Sequence, residues 1–363
     1  MSDISKSTSK LPRITFGMIV LNGEPFIRYN LRALYPFAQE IIVVEGASRF
    51  ARTIADDHGH SRDGTLETLK SFQKEEDPDN KLVIVTAEDE GHPNGFWSEK
   101  DEMSQAYASR ATGDYLWQVD VDEFYMPRDI QTICGMLVSK PGIKLIAFPM
   151  LTFWGDLDYL VDGFYLRVFR AYRLFAWKPG HRYTTHRPPT VVDPSGSDLR
   201  NCGYITAREM RKKGIFMYHY ELLLPKQAHE KTEYYGSAQW SRHVFEKIHL
   251  WNKYGYTTLK WCFRPHMVYR YPSWLVRYRG EHPPQIKYMM EALEVSPNAG
   301  IHVRDNNDVE RLLDSIWYQV GCSLLDKVSC IVSYCFPLLN FILSISHRFR
   351  KFFVMVCMVC WAT

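Results

Sequence analysis

The chain has 363 residues, of which 46% are hydrophobic, and it carries 44 Lys and Arg against 41 Asp and Glu. This hydrophobic fraction supports a folded core in one large or two ordinary domains, and it excludes a mainly disordered chain. The even charge balance argues against nucleic acid as a partner. Residues 1–13 are polar and predict a flexible tail without a signal peptide, so a cytoplasmic location is expected.

Short apolar runs alternate with helical periodicity from residue 14 to about residue 150. Five runs predict strands covered on both faces: ITFGMIVL (14–21), EIIVV (40–44), KLVIVT (81–86), DYLWQV (114–119) and IKLIAFPM (143–150). Helices are predicted over 25–37, with Pro25 in the first turn, and over 98–111, with Ser98 and Asp101 in capping-box spacing. The alternation predicts an α/β fold, a Rossmann-like and mostly parallel sheet with helices on both faces.

Polar residues follow three of the predicted strands, at the point where each strand ends. The segments are LNGE (21–24), EGAS (45–48) and the DVDE that begins at Asp120. Ligands of parallel sheets bind at the carboxyl ends of the strands. The sequence therefore predicts one crevice into which these three segments converge.

The D-x-D of Asp120 and Asp122 is the strongest candidate for a cation site. Alternation along an extended chain predicts both side chains on one side, where Mg²⁺ or Mn²⁺ could join them and a diphosphate could complete the coordination. The alternative is a solvated acidic loop. Alternation turns Glu123 away from the pair, which suits a packing or hydrogen-bonding role.

The second half of the chain is richer in aromatic residues and ends in an apolar tail. GIFMYHY (214–220) predicts a strand, residues 226–255 a charged helix, and 261–300 irregular structure. No charged residue occurs from Val328 to Ser346, and HRFRK follows. The tail is predicted to anchor the chain at a membrane surface, with a buried helix pair as the alternative.

Four segments together resemble family 2 glycosyltransferases of the GT-A fold. They are VLNGEPF (20–26), IIVVEGAS (41–48), SRDGT (61–65) and DYLWQVDVDEF (114–124). In addition, residues 100–125 and 218–231 are similar to the related family that adds bisecting N-acetylglucosamine. The resemblance covers about residues 14–230 and implies a GT-A domain there. The composition of the remaining chain predicts a helical or irregular subdomain at 231–310 and the membrane-associated tail at 311–363.

The resemblance implies transfer of a hexosyl or N-acetylhexosaminyl group from a UDP- or GDP-linked sugar to a glycan or lipid-linked acceptor hydroxyl, with Mn²⁺ or Mg²⁺ as cofactor. The residues implied to bind the nucleotide-sugar are Asn22, Glu24, Glu45, Asp63, Lys100 and Asp120. The residues implied to bind the metal are Asp120, Asp122 and the late histidine His219. The alternative for Asp63 is a plain turn and helix N-cap. The alternative for His219 is a packed core residue.

The chain departs from the family pattern at three points, the first of which is Glu45 in place of the usual Asp. Twelve residues, RFARTIADDHGH, separate GAS from SRDGT, and no late Glu-Asp pair is present to supply a general base. An inverting transfer needs a base beside the acceptor hydroxyl. The candidate bases are Asp156, Asp158 and His186, and Trp154 and Tyr159 are candidates for stacking on a sugar ring.

Three other functions are compatible with parts of the sequence. His58, His60 and Asp63 form H-x-H-x-x-D, which is close to a two-metal hydrolase pattern. A nucleotidyltransferase would need a Gly-rich, basic loop after the first strand, and LNGEP has one Gly and no Lys or Arg. The third alternative is a membrane-docked scaffold that keeps the fold without turnover.

Overall fold

Thirteen strands form two large sheets and one hairpin in the computed structural model, which describes residues 11–237, 263, 265, 272–295 and 301–329. The strands are β1 (Ile14–Val20), β2 (Glu40–Glu45), β3 (Leu82–Val85), β4 (Tyr115–Gln118), β5 (Glu123–Phe124), β6 (Leu145–Phe148), β7 (Met150–Trp154), β8 (Tyr159–Gly163), β9 (Ala171–Ala176), β10 (Arg182–Thr185), β11 (Thr190–Val192), β12 (Met217–Leu222) and β13 (Ser273–Arg277).

The helices lie mainly between the strands of the first sheet and after the second. They are α1 (Phe26–Leu34), α2 (Thr65–Glu75), α3 (Lys100–Arg110), α4 (Pro127–Ser139), α5 (Phe164–Val168), α6 (Ala207–Lys212), α7 (Pro225–Ser237), α8 (Pro284–Val295) and α9 (Asn307–Leu313). Residues 316–329 are also helical. A short 3₁₀ helix, Arg49–Ile54, lies in the twelve-residue insertion.

The first sheet has the strand order β3-β2-β1-β4-β9-β6. Neighbouring strands from β3 to β4 are parallel, and β9 is antiparallel to both β4 and β6. The mostly parallel sheet expected from the sequence is therefore confirmed. The chain builds outward from β1 to β3 and then returns to the other side of β1, so the strand order reverses between β1 and β4. A crevice at such a reversal is the usual place for a ligand.

Helices cover both faces of this sheet, as the apolar runs predict. Ile41 and Val43 of β2 pack into one core cluster with side chains of α1, α2 and α4. Ile42 and Val44 pack into a second cluster with side chains of α3. The alternation of β2 between two apolar cores explains why its sequence is apolar at successive positions.

Several predicted elements differ from the structure. The predicted helix 25–37 ends at Leu34 and is followed by a 3₁₀ turn, Tyr35–Phe37. The prediction of irregular structure over 261–300 is wrong where β13 and α8 form.

The predicted strand 143–150 divides at Pro149, with β6 in the first sheet and β7 in the second. Proline has no N–H for a ladder hydrogen bond, which favours a break there. The predicted helix 98–111 begins at Lys100, with Glu99 at the N-cap and no side-chain cap, so the predicted capping box of Ser98 and Asp101 is wrong. The backbone N–H of Ser98 instead donates to Glu102 Oε2 at 2.8 Å.

The second sheet has the strand order β13-β8-β7-β12-β5. Strand β5 follows the D-x-D almost directly and pairs with β12, the strand predicted from GIFMYHY. Strand β13 lies in the region 231–310 and pairs with β8, so residues on both sides of position 230 complete this sheet. The main effect of the second sheet on the site is to bring β12 next to the D-x-D.

The described C-terminal part ends in the helical residues 316–329. Among the described residues, no helix is both long enough and apolar enough to cross a membrane. Residues 330–363, with most of the uncharged stretch, and residues 1–10 lie outside the described part, as does the predicted helix from 238 to 255. Membrane association through the tail therefore stays a prediction.

Candidate functional site

The D-x-D and His219 meet because β5 and β12 are hydrogen-bonded neighbours. The backbone N–H of Tyr220 donates to the Asp122 carbonyl oxygen at 2.9 Å, and His219 is paired with Glu123 across the two strands. His219 Nε2 consequently lies 3.6 Å from Asp122 Oδ1. The sequence predicted both residues for one site, and the structure brings them together.

The backbone of the D-x-D is a turn rather than the extended chain expected from its alternation. Strand β4 ends at Gln118, and the backbone N–H of Glu123 donates to the Asp120 carbonyl oxygen at 2.9 Å. The turn ends the alternation that was used to place Asp120 and Asp122 on one side. Both side chains nevertheless line the same cavity.

Asp120 is held by cations of the protein itself. Arg173 Nη2 donates to Asp120 Oδ2 at 3.2 Å, and Arg187 Nη2 lies 3.9 Å from the same oxygen. Burial by itself raises the pKa of Asp120, but the positive charges around it, Arg173 foremost, outweigh burial and lower the pKa below its ordinary value. Asp120 therefore carries a charge that Arg173 already compensates in part, which makes Asp122 the less committed carboxylate of the pair.

Glu123 stabilises the D-x-D turn through its buried carboxylate. Its carboxylate is fully buried, Arg173 Nε donates to Oε2 at 2.9 Å, and the backbone N–H of Asp120 donates to the same oxygen at 3.2 Å. Burial raises the pKa of Glu123, and the charge of Arg173 opposes that effect. The hydrogen-bonding role expected for Glu123 is thus confirmed, and Arg173 is the partner that the sequence did not predict.

Asp120, Asp122 and His219 line a cavity of about 210 Å³ at the carboxyl ends of β1 and β4. The predicted site residues along its wall are Asn22, Glu24, Lys100, Asp120, Asp122, His186 and His219. Polar residues of the wall that sequence reasoning missed are Ser48, Arg187, Glu221, Gln227, Glu230, Lys231 and Tyr234. Most of the missed residues belong to β12 and α7, whose position over the cavity is a long-range feature of the fold.

Lys100 brings a positive charge into this cavity without a carboxylate partner of its own. Within the described residues no Asp or Glu forms an ion pair with it, and its Nζ lies 4.6 Å from the ring centroid of Tyr234. Burial, together with repulsion from Arg187, lowers the pKa of Lys100 to about 8. An anion that entered the cavity would restore the charged form, so Lys100 fits the diphosphate contact that the resemblance implies.

Glu45 lies outside the cavity wall and holds the inserted loop. Its carboxylate is fully buried. The backbone N–H and the hydroxyl of Ser61 each donate to Oε1 at 2.8 Å, and His60 Nδ1 lies 2.7 Å from Oε2. Both oxygens are thus occupied by the loop that contains SRDGT. Direct nucleotide contact by Glu45 stays a prediction, whereas its observed contacts are structural.

Asp63 also lies outside the cavity wall. It links the loop after β1, residues 21–24 and here called the first loop, to α7. The backbone N–H of Glu24 donates to Asp63 Oδ2 at 2.9 Å, and Lys226 Nζ donates to the same oxygen at 2.5 Å. Asp63 Oδ1 accepts from the Thr65 hydroxyl at 2.6 Å, at the start of α2. The turn described as the alternative for Asp63 is therefore present, but Asp63 is not the N-cap of α2, because that position is Gly64. Asp63 lines a neighbouring cavity that is separate from the one described above.

Two of the three candidate bases lie away from the cavity. Asp156 and Asp158 belong to the loop between β7 and β8, and neither lines the cavity wall. Asp156 Oδ1 accepts from the backbone N–H of Leu157 at 2.6 Å, and Asp158 is exposed. Trp154 and Tyr159 beside them are buried in the main core, which leaves neither ring open to stack on a sugar. The structure does not bring this segment to the predicted crevice.

His186 does line the cavity, in a buried position. Its Nδ1 lies 3.0 Å from Ser104 Oγ, and its backbone N–H donates to Asp101 Oδ1 at 2.6 Å. Burial, and next the nearby charge of Arg187, lower the pKa of His186 well below its ordinary value. The ring is therefore neutral at physiological pH and is a weak proton acceptor.

The pair of Asp122 and His219 fits a divalent cation. Two ligands of one ion, each about 2.1 Å from it, lie at most about 4.2 Å apart, and the separation of 3.6 Å falls within that limit. His219 Nδ1 is buried and makes no hydrogen bond among the described residues. No three His, Cys, Asp or Glu side chains of the described part are close enough for a complete metal site. The pair therefore fits an ion that takes its remaining ligands from a substrate.

The hydrolase pattern H-x-H-x-x-D does not assemble into a metal centre. His60 lies between two carboxylates, with Nδ1 2.7 Å from Glu45 and Nε2 3.4 Å from Glu88. Asp63 is paired with Lys226. The described contacts of these residues hold the inserted loop and do not converge on a common point.

The chain was compared with protein families, curated proteins and solved structures. No protein-family model and no curated protein matches the chain. Among solved structures, glucosyl-3-phosphoglycerate synthase from Mycobacterium tuberculosis, in complex with Mn²⁺, UDP and glucosyl-3-phosphoglycerate, has 18% identity and a TM-score of 0.28 over 39% of this chain and 44% of that one. The structure of that synthase with Mg²⁺ and UDP gives the same values.

The chain thus spans less than half of the length of the synthase in these two structures. Likeness at this identity and TM-score does not establish a shared fold or activity, and the ligands named above belong to that synthase. The resemblances drawn from the motifs, to family 2 glycosyltransferases and to the bisecting family, accordingly stay predictions.

Proposed function

We propose that the chain is a metal-dependent glycosyltransferase of the GT-A type, which transfers a sugar from a nucleoside-diphosphate donor to an acceptor hydroxyl. The observation that carries the proposal is the cavity at the strand-order reversal, where Asp122 and His219 lie beside the cation Lys100. A carboxylate and an imidazole suit one face of a divalent ion, and a lysine suits a diphosphate. The three groups together match a metal-bound diphosphate.

Asp122 and His219 would hold Mn²⁺ or Mg²⁺, with Asp120 next to them. When bound, the ion would neutralise charge on the diphosphate of the leaving group. Lys100 and Arg187 would contribute further positive charge in the same cavity. Arg173 fixes Asp120 and Glu123, so the D-x-D turn is already formed before a donor binds. This preorganisation supports tight binding at the site.

The first loop is the part of the cavity wall that would contact the nucleotide, and the neighbouring loop with SRDGT holds it in place. Asn22 has a left-handed backbone with φ of 55°, and its side-chain oxygen accepts from the backbone N–H of Arg62 at 2.8 Å. The backbone N–H of Asn22 donates to the Ser61 hydroxyl at 2.9 Å. The Ser61 hydroxyl donates in turn to the Glu45 carboxylate, and the backbone N–H of Glu24 donates to Asp63. In this proposal Glu45 and Asp63 position the loop that contacts a UDP- or GDP-linked sugar.

Binding of nucleotides with and without metal tests the function. We expect UDP or GDP to raise the melting temperature of the full chain only when Mn²⁺ or Mg²⁺ is present. Asp122→Asn should weaken that binding by at least about tenfold to a hundredfold, which is the usual loss when a residue that only supports a metal ligand is replaced. Asp158→Asn is the matched control, because its carboxylate is exposed and lies off the cavity. Binding without metal, or equal binding by both variants, would contradict the proposal.

The acceptor is proposed to be a glycan or lipid-linked hydroxyl near a membrane surface. The helical residues 316–329 expose an apolar stripe at spacings close to four residues: Ile316, Trp317, Val320, Leu324 and Val328. The uncharged segment of the tail continues from this stripe. An exposed apolar face that leads into an uncharged segment suits an interfacial anchor.

Sedimentation with anionic lipid vesicles tests the membrane part. Leu324→Glu places a charge in the stripe and should reduce the bound fraction of the full chain severalfold. Gln319→Glu places the same charge on an exposed position outside the stripe and should leave most of the binding intact. Equal sedimentation of the two variants would reject this face as the contact.

A further inference from the structure

An inverting transfer to a hydroxyl group needs a proton acceptor inside the cavity, and none of the three bases predicted from the sequence fits that requirement. Asp156 and Asp158 do not line the cavity. His186 lines it, but its lowered pKa makes the neutral ring a weak base. A base for the reaction must therefore come from the other titratable groups of the wall.

Five carboxylates line the cavity, and four of them have other close partners. Asp120 is paired with Arg173, and Asp122 is assigned with His219 to the proposed metal. Glu221 is paired with Lys231, whose Nζ is 2.7 Å from Oε2. Glu24 accepts a short hydrogen bond from the hydroxyl of Thr68. Glu230 is the fifth.

Glu230 lies on α7, one turn after Lys226, and its side chain is 23% exposed. Lys226 Nζ is 3.9 Å from Oε1, too far for a hydrogen bond, and it is the one ion-pair partner of Glu230 among the described residues. Lys226 makes its close contact with Asp63 instead, at 2.5 Å. Glu230 thus has a carboxylate that faces the cavity and is not committed to a short contact.

The surroundings of Glu230 also favour proton uptake near neutral pH. Burial is the main cause that raises its pKa to about 7, and the charge of Lys226 opposes burial. The other charged groups that face it are Asp63, from the loop before α2, and Glu233 on the same helix, and both repel a negative charge. A base whose pKa lies near the working pH transfers protons most effectively.

We propose that Glu230 is the general base that activates the acceptor hydroxyl, an inference that rests on the proposed glycosyl transfer. The acceptor O–H bond breaks and its proton passes to the Glu230 carboxylate. The acceptor oxygen forms a bond to the anomeric carbon of the sugar. The bond from that carbon to the diphosphate oxygen breaks, and its electron pair leaves with the nucleoside diphosphate.

The test compares Glu230→Gln with Glu233→Gln in the full chain. Glu233 is the matched control because it lies on the same helix and its side chain is 41% exposed. The first measurement is binding of UDP and GDP with Mn²⁺. The second is release of free nucleotide from a panel of UDP- and GDP-sugars, in water alone and with simple sugar acceptors, from pH 5.5 to pH 9.

We expect Glu230→Gln to bind nucleotide with the wild-type affinity and to lose about 10²- to 10⁴-fold in kcat. The wild-type rate should fall as pH drops below about 7, and the variant should lack that limb. Glu233→Gln should keep the wild-type affinity and kcat, and its acid limb should move only slightly to lower pH, because Glu233 is the smallest of the causes that act on the pKa of Glu230. Glu230→Asp should retain part of the rate, because it keeps a carboxylate on a shorter side chain.

Two results would overturn the assignment while leaving the proposed function intact. One is a Glu230→Gln enzyme that keeps its kcat and its acid limb. The other is a variant that binds nucleotide more weakly and has a raised KM with kcat unchanged, which would make Glu230 a donor-binding residue. A wild-type chain that binds no nucleotide, or that binds it with metal and releases none from any donor, would instead reject the proposed function itself.

Discussion

Replacement of Glu230 by Gln should change the stability of the fold in a way that depends on pH and requires no substrate. The pKa of Glu230 rises from 4.5 to about 7 on folding, mainly because burial disfavours the charged carboxylate. Each pKa unit corresponds to about 1.4 kcal/mol, so this rise corresponds to about 3 kcal/mol. The attraction of Lys226 is already contained in that figure, because it is one of the causes that set the pKa.

The sign of the effect follows from the direction of the shift. Below pH 4.5 the carboxyl is protonated in both the folded and the unfolded chain, and the preference of the folded state for the protonated form is fully present. As pH rises toward 7, the unfolded chain loses its proton first, and the free energy of unfolding decreases. Gln is neutral at every pH, like the protonated carboxyl, so the free energy of unfolding of Glu230→Gln does not show this decrease.

Denaturant unfolding of both proteins between pH 4.5 and pH 8.5 measures the effect. We expect the free energy of unfolding of Glu230→Gln, relative to wild type, to increase by up to about 3 kcal/mol between pH 4.5 and pH 7.5 and then to level off. Glu233→Gln controls for the removal of one negative charge from the same helix and should show a much smaller change. A difference between Glu230→Gln and wild type that stays constant with pH would refute the reasoning, and with it the environment assigned to Glu230.

Two further substitutions test the framework of the site. Arg173→Met leaves the buried Glu123 without its cation and should lower the free energy of unfolding by about 3 to 5 kcal/mol, whereas Arg110→Met, at a more exposed ion pair, should cost about 1 kcal/mol or less in the same denaturant titration. Gly59→Ala should lower the melting temperature more than Gly91→Ala. Both glycines have φ near +80°, where Ala costs about 1 to 2 kcal/mol, but a Cβ at Gly59 would lie 2.0 Å from a backbone oxygen and one at Gly91 meets no atom within 4 Å. Equal losses within either pair would contradict the corresponding contact.

The sequence by itself determined the strands of the first sheet and the polar residues at their ends. Successive apolar residues, as in EIIVV, are required where a strand is covered on both faces, so the local pattern indicates a mostly parallel sheet. Once the sheet is parallel, the ends of β1 and β4 must share an edge. Asn22, Asp120 and Asp122 could therefore be predicted to meet without knowledge of any side-chain contact, whereas Lys100 was placed with them only by the family resemblance.

Only the tertiary structure decided which charges are already compensated. Arg173 reaches Asp120 and Glu123 because β9 is inserted antiparallel beside β4, and no local pattern in the sequence indicates that insertion. Glu45 lies at a strand end like the other candidates, yet the inserted loop folds back over it and occupies both of its oxygens. The local hydrophobic pattern of a sequence predicts whether a residue is buried, but it does not predict which distant residue lies against it.

The same distinction separates the predicted bases from the one inferred here. Asp156 and Asp158 lie next to aromatic residues in the sequence, but the hairpin between β7 and β8 carries them away from the cavity. Glu230 has no distinguishing sequence context, and its properties arise because α7 lies against the cavity with Lys226 turned toward Asp63. The proton affinity of a carboxyl depends on burial and on charges within a few ångströms, and segments far apart in the chain supply both.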